Sequence, residues 1–462
     1  AAPPPPRVQQ RRGLTAPTAR TPQEGGKADS SGEQSGRQPG LALALTAVVV
    51  SLVGVIGFIG LMAPTIARLC GARRFRDRLL WAPLVGALLL WFTDQAVQIA
   101  AGPVAGFLPT GAVTALFGSP LLLLLLPRLR VQDRPQPPPA APARLRRGRT
   151  FLGLSLLGGL LAVLAVLALV FGRLPEGGWG FLRGELFDEL LPWRFPRVLA
   201  ALATGMMLAA AGVLLQRLKG NEMASPEVLG ISAGATIGMT ALLFLATTPS
   251  LALQFTAAGA GAFTILLVIV GLGWGSGFAP ERVVLAGIAL NALLDAVVVL
   301  LSASGDPRAL TLLNWIGGST YGVTLQTAVP AVLVASVLLL TTIVLRRWLD
   351  ILPLGRPAAQ GLGVAVPRAR LLLFLLAVLL TAAGTMVVGP LSFIGLMALH
   401  MARQLGLTRA GAQLVGAACA GAALMVLADW VGRNLAFPYQ LPAGLVSALV
   451  GAPLLLILLR RR

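Results

Sequence analysis

Long apolar segments recur along the chain and alternate with short stretches rich in arginine, glycine and proline. A helix needs about 20 mainly apolar residues to cross the hydrocarbon core of a bilayer, where it satisfies its own backbone hydrogen bonds. The pattern therefore predicts an all-α, polytopic membrane protein. Before residue 128 the predicted segments are 41–67, 79–101 and 108–126. After residue 150 they are 151–171, 195–218, 228–247, 254–273, 283–302, 325–345, 371–388, 389–403, 412–430 and 441–459.

One stretch of the chain occurs twice. The sequence V-G-P-L-S-F-I-G-L-M-A-L-H-M-A-R begins at Val388, and V-G-V-I-G-F-I-G-L-M-A-P-T-I-A-R begins at Val53, 335 positions earlier. From the glycine to the arginine, nine of fifteen positions are identical. Further on, Asp94 matches Asp429, and the glycines and prolines of 109–120 match those of 442–453 after a two-residue slip. Chance similarity between apolar segments does not align Gly, Pro, Asp and Arg, so this is a duplicated membrane module.

The apolar run 371–403 is predicted to cross the membrane twice. Arginines lie on both sides of it, at Arg370 and Arg403 for example, and arginines mark cytoplasmic loops. Gly389-Pro390 is the natural place for the break, since proline disrupts a helix interior. The run is short for two full crossings at 1.5 Å per residue, so one leg should be short. Ten passes with both ends in the cytoplasm result for the second half.

These patterns divide the chain into four parts. Residues 1–40 are polar, rich in proline, glycine and serine, and expected to be disordered. Residues 41–127 correspond to the last three or four helices of a first repeat, whose earlier part has no counterpart in 1–40. Residues 128–150, basic and proline-rich, are expected to form a cytoplasmic linker. Residues 151–462 are expected to form a complete second repeat of about ten transmembrane helices.

Composition supports the membrane class and excludes others. Apolar residues make up 56% of the chain and charged residues 12%, whereas a soluble domain carries about a quarter charged residues. The net charge of +20 comes almost wholly from arginines in short loops. That distribution is typical of the positive-inside rule in a lipid bilayer and not of a nucleic-acid-binding surface.

The chain offers few groups for chemistry. His400 is the only histidine, which excludes multi-histidine metal sites, and the two cysteines lie far apart, so no metal and no directly bound cofactor is expected. No G-x-x-x-x-G-K-[ST] loop is present, so the chain itself cannot bind ATP through one. The acidic residues inside predicted spans of the second half are Asp295 and Asp429. Asp429 lies four residues before Arg433, which favours an i,i+4 ion pair, and His400 is expected at a helix end near the cytoplasmic surface.

The polar segment Leu349–Arg370 is the longest between the late spans. It is basic at both ends and contains several small residues. This pattern favours a short helix–turn–helix at the cytoplasmic surface that a partner could approach closely, although ordinary interhelical loops also contain glycine and alanine.

A set of motifs resembles one known family. In order they are W-R-F-P-R, G-N-E-M-A-S-P-E-V-L-G, L-A-G-I-A-L, I-L-P-L-G, G-P-L-S-F-I-G-L-M and L-P-A-G, beginning at Trp193, Gly220, Leu285, Ile351, Gly389 and Leu441. They are similar to the permease subunits of bacterial iron-siderophore and vitamin B12 ABC importers, a ten-helix type II family. S-G-D-P-R, W-I-G-G-S-T-Y and A-D-W-V-G-R, beginning at Ser304, Trp315 and Ala428, are similar to its ferric hydroxamate members, in which two halves are fused.

The resemblance implies roles for three groups of residues. Those implied to dock a periplasmic binding protein are Arg194, Arg197 and Arg433, although Arg194 and Arg197 could instead anchor lipid headgroups. Those implied to form the coupling loop on the ATP-binding subunit are Leu354, Gly355, Arg356, Ala359, Gly361 and Gly363. Those implied to lie near the cytoplasmic gate are Asn221, Pro226, Pro280 and Arg282, with ordinary loop punctuation as the alternative.

The implied function is a permease that moves ferric hydroxamate siderophores from periplasm to cytoplasm by alternating access across the bacterial inner membrane. Its implied partners are two copies of a cytoplasmic ATP-binding subunit, which would use the ATP, and a periplasmic siderophore-binding protein. The cavity should be wide and sparsely charged, since chelated Fe(III) arrives wrapped by its ligand. A cobalamin or haem permease of the same family is an alternative. An ion-coupled secondary transporter, relying on Asp295, is a further one.

Overall fold

A computed structural model describes most of the chain. The residues it describes are 57–72, 74–101, 110–125, 147–174, 177–220, 224–246, 250–274, 280–303 and 305–460. The segment 1–40 and most of the linker 128–150 lie outside these ranges, so the expectations for them stay predictions.

Helices dominate the described residues. Before the linker they are α1 (Gly57–Leu69), α2 (Phe75–Ala101) and α3 (Thr110–Leu125). After the linker the elements are α4 (Arg147–Val170), β1 (Phe171–Arg173), β2 (Trp179–Phe181), α5 (Glu185–Lys219), α6 (Ile231–Leu245), α7 (Leu251–Trp274), α8 (Pro280–Ala303), α9 (Pro307–Ile316), α10 (Leu325–Val344), α11 (Arg346–Ile351), α12 (Arg356–Gly361), α13 (Val366–Val388), α14 (Ile394–Gln404), α15 (Ala410–Asn434) and α16 (Ala443–Arg460). Two 3₁₀ turns accompany them, Pro226–Leu229 and Leu352–Leu354.

The membrane class is confirmed. Within the described part of the chain, eight helices are long and apolar enough to cross a bilayer. Each predicted segment of the second half overlaps one of the helices α4 to α8, α10 and α13 to α16. The apolar periodicity of a buried or lipid-facing helix is enough to locate these elements.

The internal repeat is visible in the helix boundaries. Helices α1, α2 and α3 correspond in order to α14, α15 and α16. Phe75 and Ala410, the first residues of α2 and α15, are 335 positions apart, and Thr110 and Ala443, the first residues of α3 and α16, are 333 apart. The two-residue slip between the copies therefore lies in the connection between the second and third helices of the repeat.

The break predicted at Gly389-Pro390 is confirmed. Helix α13 ends at Val388 and α14 begins at Ile394. Gly389 has a φ of 90°, a conformation that glycine adopts readily because it has no Cβ. Helix α14 contains 11 residues against 23 in α13, so the second leg is the short one.

Several short elements were not predicted. They are the antiparallel β1–β2 hairpin, in which Phe171 pairs with Phe181, and helices α9 and α11. Helix α5 begins at Glu185, ten residues before the predicted start, and runs through Pro192 and Pro196. Elements of three to ten residues carry too little apolar periodicity to stand out, and prolines in a sequence normally argue for a helix boundary.

Helices α5 and α15 form the centre of the second half. In the most apolar part of α5, 83% of residues are buried inside the protein. The corresponding share in α4 is 17%, so α4 lies at the periphery of the helix group. The two central helices approach backbone to backbone at a pair of glycines. A Cβ built on Gly205 would lie 2.4 Å from the Gly421 carbonyl oxygen, and one built on Gly421 would lie 2.5 Å from the Gly205 carbonyl oxygen. Small residues permit such contact, which is how helices associate without a hydrophobic driving force in lipid.

This close contact makes Gly421 intolerant of a side chain. We expect Gly421→Val to separate α5 from α15 and lower stability by about 2 kcal/mol, within the range for overpacked cores. The measurement is the thermal midpoint in detergent, followed by size-exclusion chromatography. Gly271→Val is the matched control, since a Cβ at Gly271 meets no atom within 4 Å. Equal midpoints for the two variants would contradict the proposed packing constraint.

Candidate functional site

The two ends of the second half carry different sets of arginines. The C-terminal end of α5 contacts helix α11 and Thr408, which precedes α15. We call this end of the protein the inner end. Arginines near this end are Arg346, Arg347, Arg403 and Arg409. Basic loops lie on the cytoplasmic side of membrane proteins. The opposite, outer end carries the three arginines predicted to dock a binding protein.

At the outer end these arginines surround one buried carboxylate. The side chain of Asp429 has no exposed surface, and its two oxygens pair with Arg197 at 3.2 Å and with Arg433 at 2.9 Å. The Thr320 hydroxyl also donates a hydrogen bond to Asp429. The i,i+4 pair predicted for Asp429 and Arg433 is confirmed. We call Arg194, Arg197, Arg433 and Asp429 the outer arginine cluster.

The three arginines differ in how far they reach the surface. Arg197 is buried, with 9% of its surface exposed, and its guanidinium points inward to Asp429, Thr320 and Gln440. Arg194 is half-buried and donates to the carbonyl oxygens of Leu169 and Arg173. Arg197 therefore binds groups inside the protein, and Arg194 is the more exposed of these two arginines. Arg197 and Arg433 share the single carboxylate of Asp429, and Arg194 pairs with carbonyl groups, so positive charge remains in excess in the cluster.

The first copy of the repeat contains a version of this pair in which an amide replaces the guanidinium. Asp94 and Gln98 stand at the positions of Asp429 and Arg433. The Gln98 amide donates to the Asp94 carboxylate at 2.8 Å, over the same four-residue spacing. The contact between the two side chains is repeated, but the positive charge of Arg433 is not.

A cavity of about 650 Å³ lies directly beside the outer arginine cluster. Gln440 joins the two, since it lines the cavity and accepts a hydrogen bond from Arg197 at 2.8 Å. The polar and aromatic lining residues include Gln254, Thr311, Asn314, Trp315, Ser319, Tyr321 and Gln440. They come from α7, α9 and the two loops that follow α9 and α15. The unpredicted helix α9 therefore supplies a wall of this cavity.

The charge of the cavity wall restricts what the cavity can bind. Arg308 is the charged side chain among the described lining residues, and its guanidinium lies 4.9 Å from the centroid of the Phe244 ring. No carboxylate belongs to this described lining. A free hard cation requires several oxygen ligands with negative charge, whereas a neutral or anionic chelate requires only hydrogen-bonding and aromatic contacts.

The cavity extends to the break between α13 and α14. A neighbouring space of about 160 Å³ shares Gln254, Asn314 and Trp315 with it and is also lined by Val388 and Gly389. A ligand in the cavity could therefore contact the point at which the membrane helix is interrupted.

Beyond the break, the partly buried Glu227 holds the start of α14. The Phe393 backbone N–H, which precedes α14, donates to the Glu227 carboxylate at 2.9 Å. The Ser225 hydroxyl donates to the same carboxylate, and the Asn291 amide of α8 donates to the Glu227 carbonyl oxygen at 2.5 Å. Phe393 has a φ of 70°, which is uncommon for a residue with a side chain. Glu227 thus ties the 3₁₀ turn to both α14 and α8.

This turn contains part of the predicted gate. Pro226 packs on α14, since a Cβ built on Gly395 would lie 2.6 Å from the Pro226 Cγ. Pro280 begins α8 and Arg282 lies in its first turn. Asn221 lies outside the described residues. Sequence reasoning missed Glu227, although a carboxylate between two apolar segments was the signal that could have identified it.

The predicted coupling segment forms short surface helices, as expected. Leu354 ends the 3₁₀ turn, Gly355 precedes α12 with a φ of 95°, and the remaining predicted positions from Arg356 to Gly363 form α12 and its end. Leu354 is 54% exposed, whereas Ala359 is buried against the protein. The small side chain of Ala359 therefore packs inside the protein and is not on the surface. Leu354 is the exposed apolar residue of this segment.

His400 lies near the end of α14, as predicted, but the burial of its side chain was not predicted. Only 4% of its surface is exposed, and its ring Nδ1 is 3.0 Å from the Leu396 carbonyl oxygen. The side chain is buried because α14 packs between α5 and α15 over most of its length.

The environment of Glu227 predicts a pH dependence. Burial raises the pKa of Glu227 to about 7 from 4.5, although hydrogen bonds from Ser225 and the Phe393 N–H oppose the rise. The folded state therefore retains a proton that the unfolded state loses, so this residue lowers stability as pH rises from about 4.5 to 7. We expect Glu227→Gln to remove a decline of about 3 kcal/mol across this range, at 1.36 kcal/mol per pKa unit.

Thermal midpoints in detergent from pH 4.5 to 8 measure this effect. The exposed Glu185 provides the control, since Glu185→Gln should keep the wild-type decline. Parallel pH profiles for Glu227→Gln and wild type would rule out a buried, protonated Glu227.

The outer arginine cluster predicts a second effect. Asp429→Asn leaves two buried arginines without their counter-charge, and removing one partner of a buried ion pair typically costs about 3–5 kcal/mol. The thermal midpoint in detergent should fall far below that of Asp188→Asn, an exposed aspartate in the first turn of α5. A small effect equal to that of the control would mean that the cluster is hydrated and not structurally important.

Comparison with known proteins places this arrangement in a family. The profile of the FecCD transport family matches residues 40–128 and 151–461. The iron(3+)-hydroxamate import system permease protein FhuB of Salmonella typhimurium is 47% identical over 423 residues, covering 91% of this chain and 61% of the relative. FhuB of Escherichia coli is 46% identical and covers 91% of this chain and 64% of the relative. The chain thus spans somewhat less than two thirds of the length of these two relatives.

Shorter relatives and a solved structure agree. The iron(3+)-hydroxamate import system permease protein FhuG of Bacillus subtilis is 33% identical over 319 residues, covering 67% of this chain and 93% of the relative. A solved metal-chelate type ABC transporter in an inward-facing conformation is 25% identical, with a TM-score of 0.60 over 68% of this chain and all of the solved one. The protein is therefore a multi-pass protein of the inner membrane. From its repeated motifs, its helix order and these matches, the chain belongs to the FecCD transport family.

Proposed function

We propose that this protein is the transmembrane permease of an ATP-driven importer that moves ferric hydroxamate siderophores from periplasm to cytoplasm. The observation that carries the proposal is the outer cavity of about 650 Å³, whose described lining has amide, hydroxyl and aromatic groups but no carboxylate. Such a wall suits an iron ion already wrapped by its chelator. The FhuB relatives, named for hydroxamate import, support the same substrate class.

The proposed transport cycle begins at the outer arginine cluster. A loaded binding protein would approach its excess positive charge, with Arg194 as the reachable partner for an acidic residue. Arginine suits this role because its planar guanidinium pairs with carboxylates in a bidentate manner. Arg197 and Arg433 would act from within, by fixing the loop that carries Thr320 and the neighbouring cavity wall.

At the inner end, the surface segment Leu349–Arg370 would contact the ATP-binding subunit, of which two copies are expected. Its exposed tip at Leu354 and the adjacent helix α12 supply a surface for that contact. ATP would be hydrolysed by the partner. The turn containing Pro226 and Glu227, together with the start of α8 at Pro280, would form the gate beneath the cavity.

The packing of α3 suggests how a second half would complete the pathway. Helix α3 packs on α8 through small residues, with Ala112 and Ala115 facing a cluster that includes Ala289 and Ala296. Helix α16 is the repeat counterpart of α3. Its exposed residues include Leu445 and Leu449. An α8-like helix from a second permease half would cover this face and place the cavity between two halves.

An ion-coupled mechanism receives less support. It would require a carboxylate connected to other titratable groups across the membrane. Asp295 lies on α8 at an exposed position, and among the described residues it forms no hydrogen bond or ion pair. A cobalamin or haem permease remains the alternative within the family, and the substrate test below separates it.

Uptake of radio-iron ferrichrome tests the substrate. Bacteria lacking their own hydroxamate permease would express this chain with the ATPase and binding protein, both alone and joined to a full ten-helix half. We expect uptake at least ten-fold above the empty vector in one of these forms, and none of labelled cyanocobalamin or haem. Transport of cobalamin or haem instead of ferrichrome would overturn the substrate assignment.

A further inference from the structure

Arg217, near the C-terminal end of α5, connects three elements at the inner end of the protein. Its Nε donates to the Gln413 side chain of α15 at 2.8 Å, and its Nη2 donates to the Thr408 carbonyl oxygen at 2.6 Å. Its Nη1 donates to the Leu349 carbonyl oxygen at 3.1 Å and pairs with Asp350 at 3.0 Å. One guanidinium thus joins α5, the start of α15 and α11, which leads directly into the coupling segment.

Asp350 strengthens this connection from the other side. The same carboxylate oxygen that pairs with Arg217 accepts a hydrogen bond from the Ala410 backbone N–H at 3.1 Å. Ala410 is the first residue of α15, and negative charge is favourable at a helix N-terminus. Asp350 therefore attaches α11 both to α5 and to the start of α15. We call Arg217 and Asp350 the inner clamp.

The two helices held by the inner clamp are also joined at their other ends. Helix α5 carries Arg197, and α15 carries Asp429, to which Arg197 is bound in the outer arginine cluster. Between the ends, Gly205 and Gly421 bring the two backbones into contact. With 35 residues, α5 is about 52 Å long at 1.5 Å per residue. The helix pair is thus fixed to the coupling segment at one end and to the cavity wall at the other.

We propose that Arg217 and Asp350 are positioning residues that transmit movement of the coupling segment to the α5–α15 pair and, through it, to the outer cavity wall. The inference rests on the proposed function of the segment as the contact for an ATP-binding subunit. Because α5 and α15 are joined by backbone contact, a displacement of α11 moves both helices together. Without the inner clamp, we expect α11 to move the helix pair less effectively, since only the apolar packing around the buried Leu349 would then transmit its displacement.

The two residues of the inner clamp differ in exposure. The side chain of Asp350 is 51% exposed, so water competes for its charge, whereas the side chain of Arg217 is only 12% exposed. The hydrogen bonds of Arg217 to the Leu349 and Thr408 carbonyl oxygens hold α5 against α11 and the start of α15. Arg217 is at the opposite end of α5 from the outer arginine cluster and the cavity, so it does not touch a ligand there.

The test compares the coupling ratio of variants in the assembled transporter. Wild type, Arg217→Ala, Asp350→Ala and the double variant would be reconstituted with the ATP-binding subunit and binding protein in liposomes. Radio-iron ferrichrome transport and ATP hydrolysis are measured together. Arg409→Ala is the matched control, since this exposed arginine lies beside the inner clamp and its side chain forms no hydrogen bond or ion pair among the described residues.

We expect Arg217→Ala and Asp350→Ala each to lower ferrichrome transported per ATP at least five-fold, while ATP hydrolysis stays within two-fold of wild type. The double variant should be no worse than the poorer single variant, because residues that act as a pair are not additive. Arg409→Ala should match wild type. An unchanged ratio in Arg217→Ala, an equal fall in transport and hydrolysis, or multiplied effects in the double variant would overturn the inference.

A second readout separates this inference from the proposed function. Amide hydrogen exchange of the same complexes should be faster in 346–363 and 408–413 for Arg217→Ala than for Arg409→Ala, with no change around Asp429. If wild type transports no ferrichrome, the substrate proposal fails, and the exchange data still decide whether the inner clamp holds the coupling segment. Equal exchange in both variants would show that it does not.

Discussion

The close approach of α5 to its neighbours is the constraint on which the rest of the structure depends. In a bilayer no hydrophobic force draws helices together, so packing relies on small residues that allow backbone contact. Gly205 meets Gly421 of α15, and Gly212 meets the Gly395 carbonyl oxygen of α14. These contacts fix the relative positions of three helices. Their polar groups at either end are therefore brought within reach of the partners that they bind.

Polar interactions are concentrated at the ends of this helix group. At the outer end a fully buried aspartate neutralises part of an arginine cluster, and at the inner end a half-exposed aspartate pairs with Arg217. Burying charge costs several kcal/mol per ion unless partners compensate for it. The buried Asp429 therefore cannot exchange its partners for water, whereas the half-exposed Asp350 can. This difference suits a protein that receives a binding partner outside and moves on the inside.

The interrupted helix links the cavity to the gate region. The cavity reaches Gly389, and the chain resumes its helix at Ile394 through a residue with positive φ. Glu227 satisfies the backbone donor at that point from a different element. A break in a helix leaves backbone donors and acceptors that protein groups or water must satisfy. The glutamate satisfies one of these donors, the Phe393 N–H.

The sequence by itself determined the membrane class, the long helices, the repeat, the break at Gly389 and the Asp429–Arg433 pair. Each depends on local composition or on spacing along a single helix, which a periodic pattern records. Only the tertiary structure decided that Arg197 turns inward, that His400 is buried, that α9 lines a cavity, and that Arg217 and Glu227 join distant elements. Those outcomes depend on contacts between residues far apart in the chain, 232 positions for Arg197 and Asp429, and no local pattern encodes which side chains such packing brings together.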